Sequence, residues 1–145
     1  MPDPTLARIV SEFGASLGMD GLQPSSEGVC QLVFDGRHVL RLIGMGARGQ
    51  LLLSCLLAGE RAETVQAELM AKANFMQAGR GVVFSVGPDG RAHAQLALPY
   101  IECTPALVLQ SVEALLDQAD RWNERVAREA VPAPRMPAPM FFQSV

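Results

Sequence analysis

Apolar residues near the start of the chain fall at Leu6, Ile9, Val10, Phe13 and Leu17. This one-sided spacing predicts an amphipathic helix from Thr5 to about Leu17. Asp3 or Thr5 is placed to cap it, and Gly18 to end it. The next stretch, "GMDGLQPSSEG", is dense in turn formers and reads as a connection. The period then changes to two. "VCQLVFDGRHVLRLI" predicts two short strands joined by a two-residue turn at Asp35-Gly36, a pair that tolerates positive φ. Cys30, Leu32 and Phe34 share one face of the first strand, and Val29, Gln31 and Val33 share the other. In the second strand Leu40 and Leu42 alternate with Val39, Arg41 and Ile43. Both faces of this hairpin therefore carry apolar side chains.

Periodicity alone cannot separate strand from helix in "QLLLSCLLAGE", which is apolar on both alternating faces and ends at Gly59. The hairpin just upstream favours a third strand. From Glu60 to Gln77 the chain is rich in Ala, Glu and Gln, and Val65, Leu69, Ala73 and Met76 make a helical stripe. "GVVFSVGPDGRAHAQLALPY" predicts a second hairpin, with Val82, Phe84 and Val86 inward, a turn at Gly87 to Gly90, and a return from His93 to Leu98. Thr104 then caps a helix that has Pro105 at its first position and reaches about Ala130. Its stripe is Val108, Val112, Leu115, Leu116, Ala119, Trp122 and Val126. "VPAPRMPAPMFFQSV" is Pro-rich and reads as an extended tail with an apolar end.

The pattern thus predicts an α+β fold in the order α-β-β-β-α-β-β-α, with three helices on an antiparallel twisted sheet of about five strands. Residues 1–130 would form one domain and residues 131–145 the tail. A length of 145 residues and an apolar content of 49% suit a single core that needs neither disulfide nor metal. Aromatic residues are only 6%, so Leu, Val, Ala and seven Met must fill that core.

A net charge of -3, with arginines scattered singly, argues against a nucleic-acid footprint. Cys30, Cys55 and Cys103 are odd in number and form no C-x-x-C pair, which suits free thiols in a reducing compartment. "MPDPTLARIV" lacks a basic start followed by an apolar run, and "LLLSCLLA" is too short to span a bilayer, so the expectation is a cytoplasmic location with no membrane contact.

One stretch looks like chemistry. "GMGARG", Gly44 to Gly49, has the spacing G-x-G-x-x-G. A dinucleotide fingerprint needs a helix after its glycines and an acidic residue at the end of a second parallel strand about twenty positions on. Glu68 sits near that distance but inside a predicted helix, and no Lys-Ser or Lys-Thr pair follows to make a Walker motif. The stretch therefore reads as a glycine-rich loop between strands. His38 and His93 read as partly exposed structural histidines. A Cys–His pair, for instance Cys103 with His93, is a candidate for nucleophilic catalysis, but it lacks an activating signature. The carboxylates lie mostly on helical faces, and Trp122 reads as a core anchor.

What stands out is surplus apolar surface. Strands that are apolar on both faces need cover on both sides, and three helices do not readily supply it. Two interfaces follow: the stripe on the middle helix as a self-association seam, and an exposed sheet face or edge that holds an extended client. The alternative is a monomer whose tail folds back as cover.

The element order, together with "LARIVSEFGASLGMDGL", "GVCQLVFDGRHVLRL" and "LLDQADRWNERV", resembles the class I type III secretion chaperones of the Tir-chaperone or CesT-like family over about residues 5–130. The resemblance implies a homodimer that binds the N-terminal segment of a secreted effector and keeps it export-competent, without catalysis or cofactor. It places Val65, Leu69 and Met76 near the dimer seam, and Val29, Val33, Val39 and Ile43 against the client. Some members of the family instead bind a regulatory protein in a partner-switching circuit that couples secretion to transcription. The glycine-rich "GMGARG" and the long tail depart from the family pattern.

Overall fold

The computed structural model describes residues 2–59, 64–75 and 81–130. Helix α1 spans Pro4–Ser16. The Asp3 carboxylate accepts the Leu6 N–H at 3.0 Å, satisfying a donor of the first turn that has no partner within the helix. Leu6, Ile9, Val10 and Phe13 form its buried face, as their spacing predicts. At its end the N–H groups of Leu17 and Met19 both return to the Gly14 carbonyl, and Gly18 supplies the left-handed φ of 78°.

Strands β1 (Val29–Phe34), β2 (His38–Met45) and β3 (Gln50–Leu56) form an antiparallel meander. Helix α2 (Thr64–Asn74) follows, then the hairpin of β4 (Val83–Val86) and β5 (Ala92–Pro99), and finally α3 (Pro105–Ala130). The strand order is β1-β2-β3-β5-β4, with every pairing antiparallel. The predicted fold class and element order therefore hold.

Alternation along the strands sends Cys30, Leu32, Leu40, Leu42, Leu51, Leu53, Cys55 and Ala94 into one core with the buried faces of α1 and α3. Helix α3 lies against α1, β3 and β5, and α2 lies against β4. Trp122 anchors the α3 side of the core by stacking on Phe84, with ring centroids 4.9 Å apart.

Four local expectations change. The β1–β2 loop has three residues, because Phe34 pairs with His38; Asp35 and Gly36 do adopt positive φ, and Arg37 is the extra residue. His38 is buried, at 3% exposure, because a carboxylate from α3 meets it. Val86 shares the parity of Phe84 but lies at the strand end and is 45% exposed. Among the described side chains of α2 the buried one is Met70, next to Leu69 of the predicted stripe, with Leu69 and Ala73 packed at the margin of the core.

"GMGARG" is a connector. Gly44 and Met45 finish β2, Gly46–Arg48 make one 3-10 turn, and Gly49 takes φ 61° before β3 begins. A Cβ on Gly44 would lie 2.6 Å from Leu6 Cδ2 and 3.0 Å from the Tyr100 hydroxyl, so this glycine lets the start of α1 sit on the sheet. Among the described residues no helix is long and apolar enough to cross a membrane.

Candidate functional site

Because α1 and α3 contribute their buried faces to the core side of the sheet, the opposite face of the strands is the surface they leave. Val29 stands opposite Ile43, Val33 opposite Val39, and Leu52 opposite both Ile43 and Ala97. Val33 is 59% exposed, and Val39, Ile43 and Leu52 are half-buried. The four residues singled out on the first hairpin, Val29, Val33, Val39 and Ile43, are thus brought together on this face as two cross-strand pairs.

Between those pairs runs a polar row. Arg41 Nε donates to Gln31 Oε1 at 3.1 Å, Gln95 Nε2 donates to Ser54 Oγ at 3.2 Å, and Ser85 Oγ donates to Gln95 Oε1 at 3.4 Å. The register sets Gln31, Arg41, Ser54 and Gln95 side by side across four strands. Apolar contact zones on this face are therefore separated by groups that already hold one another, an arrangement that suits a segment with spaced apolar side chains better than a small polar ligand.

The rim of this face is the β1 edge. Ser25 closes its beginning: its N–H donates to the Val29 carbonyl at 2.8 Å, and its Oγ accepts the Val29 N–H at 3.3 Å. Val29 thus directs its backbone groups away from β2. By strand alternation Gln31 and Val33 present theirs to the same side. An open groove of about 1000 Å3 adjoins this closed corner, with Asp3, Thr5, Pro24, Glu27 and Tyr100 among its lining residues. Tyr100 donates its hydroxyl to Asp3 Oδ2 at 2.6 Å. That bond, with the Leu6 N–H, holds the Asp3 carboxyl below its ordinary range, while burial and the Asp3 charge push the Tyr100 phenol up.

The far edge of the sheet is treated differently. Asn74, the last residue of α2, accepts the Phe84 N–H on its Oδ1 at 2.9 Å and donates Nδ2 to the Phe84 carbonyl at 2.8 Å. Its amide stands in for a neighbouring strand and closes β4 at that point. Beside this clamp lie exposed apolar residues: Phe75 at 73%, with Val83 and Val86 on β4. Of the residues assigned to a dimer seam, Leu69 packs against the core, Val65 belongs to α2, and Met76 lies outside the described residues. Sequence reasoning missed Phe75 and Val83, although Val83 is legible as the outward neighbour of Phe84.

The candidate catalytic pair is not assembled. His93 lies near the start of β5 and Cys103 beyond its end, after one 3-10 turn, and the Cys103 thiol is directed to the Pro99 carbonyl at 3.3 Å. Burial pushes all three thiols up, Cys55 to about 11, the opposite of nucleophile activation. Among the described residues no group of three or more His, Cys, Asp or Glu side chains is placed to hold a metal ion.

A third cluster joins the meander to α3. Asp120 Oδ1 accepts from Arg37 Nη1 at 2.7 Å and from His38 Nε2 at 2.9 Å. The Arg37 hydrogen bond is the main cause that holds the Asp120 carboxyl below its ordinary value.

Residues 8–123 match the model of the Tir chaperone protein (CesT) family. The chain belongs to this family. Solved structures agree with that membership. The ExsC–ExsE complex superposes with a TM-score of 0.73 at 22% identity, covering 83% of this chain and 92% of the other. The HopA1–SchA chaperone–effector complex gives 0.72 at 25% identity, covering 86% and 99%. The ExoT–SpcS complex from Pseudomonas aeruginosa gives 0.63 at 18% identity, covering 83% and 98%. The more distant of these speak for the CesT fold alone. No curated protein sequence matches the chain. Within this CesT-family fold, and among the described residues, the outer sheet face, the β1 edge and the exposed side chains of Phe75, Val83, Val86, Ile101 and Met19 are apolar or unpaired surfaces available to a partner.

Proposed function

We propose that this protein is a type III secretion chaperone that binds the N-terminal segment of a secreted effector in extended form and keeps it competent for export. The observation that carries this reading is the outer sheet face of a CesT-family member, where Val29, Val33, Val39 and Ile43 form two apolar cross-strand pairs beside an open strand edge. An extended client gains backbone hydrogen bonds at Gln31 and Val33 and lays alternate side chains on those pairs. Because ordering a disordered chain costs several kcal/mol, binding is spread over more than one patch. The activity is binding without catalysis, in the cytoplasm. Two copies form a homodimer through the α2–β4 side, where Phe75, Val83 and Val86 expose apolar surface beside the Asn74 clamp.

Two measurements test this. Light scattering should give a particle of about twice 15.6 kDa, and Phe75→Asp with Val83→Asp should halve it. Co-expression with the N-terminal segments of effectors from the same secretion system should yield a stable co-purifying complex with one of them. Val33→Asp with Val39→Asp should abolish that complex while leaving the circular dichroism and the particle mass unchanged. A complex that survives the double substitution removes the outer face from the mechanism.

A further inference from the structure

Residues 131–145 lie outside both the described residues and the stretch matched by the family model. Their sequence, "VPAPRMPAPMFFQSV", divides in two. Four prolines occupy positions 132, 134, 137 and 139; Met140, Phe141 and Phe142 follow, with no proline after them. A spacer that prefers extension thus ends in a short, strongly apolar tip.

The point of departure of that spacer is fixed. Asp120 on α3 holds Arg37 and His38 at the β1–β2 turn, and Asn123 Oδ1 accepts the Ala58 N–H just beyond β3 at 3.0 Å. The last part of α3 therefore overhangs the end of the sheet that carries Val33 and Val39. From Asp120 to Ala130 the helix adds about 15 Å. Returning that distance and crossing one sheet layer of about 10 Å needs a path of roughly 25 Å. Phe141 and Phe142 are reached after eleven and twelve residues, or about 34–37 Å at polyproline spacing. The tip reaches the outer face with length to spare.

We propose that the Met140–Phe142 tip of the same chain docks over Val33 and Val39 and acts as an internal competitor of the client. The occupant is the chain's own tail because a short tether holds it at millimolar effective concentration, above what a second copy supplies at ordinary protein concentrations. The Val33–Val39 pair, with Val33 exposed and Val39 half-buried, is apolar surface that two phenylalanines can remove from water. An arriving effector segment displaces the tip, so the patch is shielded between clients and only segments that bind more tightly than the tip are retained. This role rests on the client-binding reading above, but its test uses no client.

The full chain carries Ser144→Cys, to which a nitroxide spin label is attached; Cys30, Cys55 and Cys103 are buried, so the new thiol reacts selectively under native conditions. Methyl signals of the folded protein are compared with the label oxidised and reduced. The expected result is at least a twofold intensity loss at Val33 and Val39, abolished when Phe141→Ser and Phe142→Ser are added. Unchanged signals at Val33 and Val39, or a loss centred on Val83 and Val86 at the far edge of the sheet, overturn the proposal. So does a loss of equal size when the label and the isotope sit on different chains, since the occupant is then a second copy. Failure here leaves effector binding standing, whereas failure of co-purification leaves the tail measurement readable.

Discussion

Gly44 has no room for a side chain: the Cβ of an alanine would meet Leu6, which is buried, at 2.6 Å, and the Tyr100 hydroxyl, which holds Asp3, at 3.0 Å. Gly44→Ala therefore pushes α1 off the sheet at its capped end, and overpacking of this kind costs about 1–3 kcal/mol. Urea unfolding should show a lower midpoint with an unchanged slope. Asp3→Ala attacks the same junction from the other side, removing the N-cap and the Tyr100 acceptor together, and a loss of about 1–2 kcal/mol is expected in the same assay. If Gly44→Ala is neutral, the glycine-rich stretch needs another explanation than close approach. Nothing in the spelling "GMGARG" separates these causes from a phosphate loop; the contacts with Leu6, Tyr100 and Asp3 do.

Elements whose residues alternate or repeat against a single core were legible from the chain, and those shaped by distant partners were not. The faces of β1 and β2, the stripe of α3 and the Thr104–Pro105 helix start follow from local spacing, and each lies where that spacing puts it. The extra residue in the β1–β2 loop was not legible, because Arg37 is held in place by Asp120, far along the sequence. The outer-face residues of the first hairpin were readable as a pattern, since Val29, Val33, Val39 and Ile43 are apolar positions there that the core does not use. The Asn74 clamp was invisible for the reason Arg37 was: an asparagine at a helix end declares no interest in Phe84. Asn74→Ala tests it. The Phe84 amide should lose protection in hydrogen exchange by about tenfold, the equivalent of roughly 1.4 kcal/mol, while amides of β2 and β3 keep theirs. Uniform loss across the sheet would instead mean that Asn74 supports global stability.

At the scale of the molecule, Asp120 fastens the hairpin that bears the outer face to the helix that carries the tail. Its carboxyl lies below the ordinary value because Arg37 donates to it, with His38 adding a second hydrogen bond. The folded state thus favours the ionised form more than the unfolded chain does. That contribution is fully present above the unfolded value of about 3.9 and is lost as pH falls through the lower folded value. Asp120→Asn keeps the size of the side chain and removes its charge. The variant should melt below the parent at pH 7, and the gap should close as pH falls below about 4, as the parent loses the same ion pair. Asp3 and Asp89 are also held low, but both proteins retain them, so their share cancels in the difference. The side chain of Asp120 is 35% exposed, which screens the pair and keeps the gap to a few degrees. Thermal melts followed by circular dichroism across that range decide the matter. A gap that persists unchanged however far the pH is lowered would mean that the geometry of the carboxyl group, and not its charge, joins the hairpin to α3.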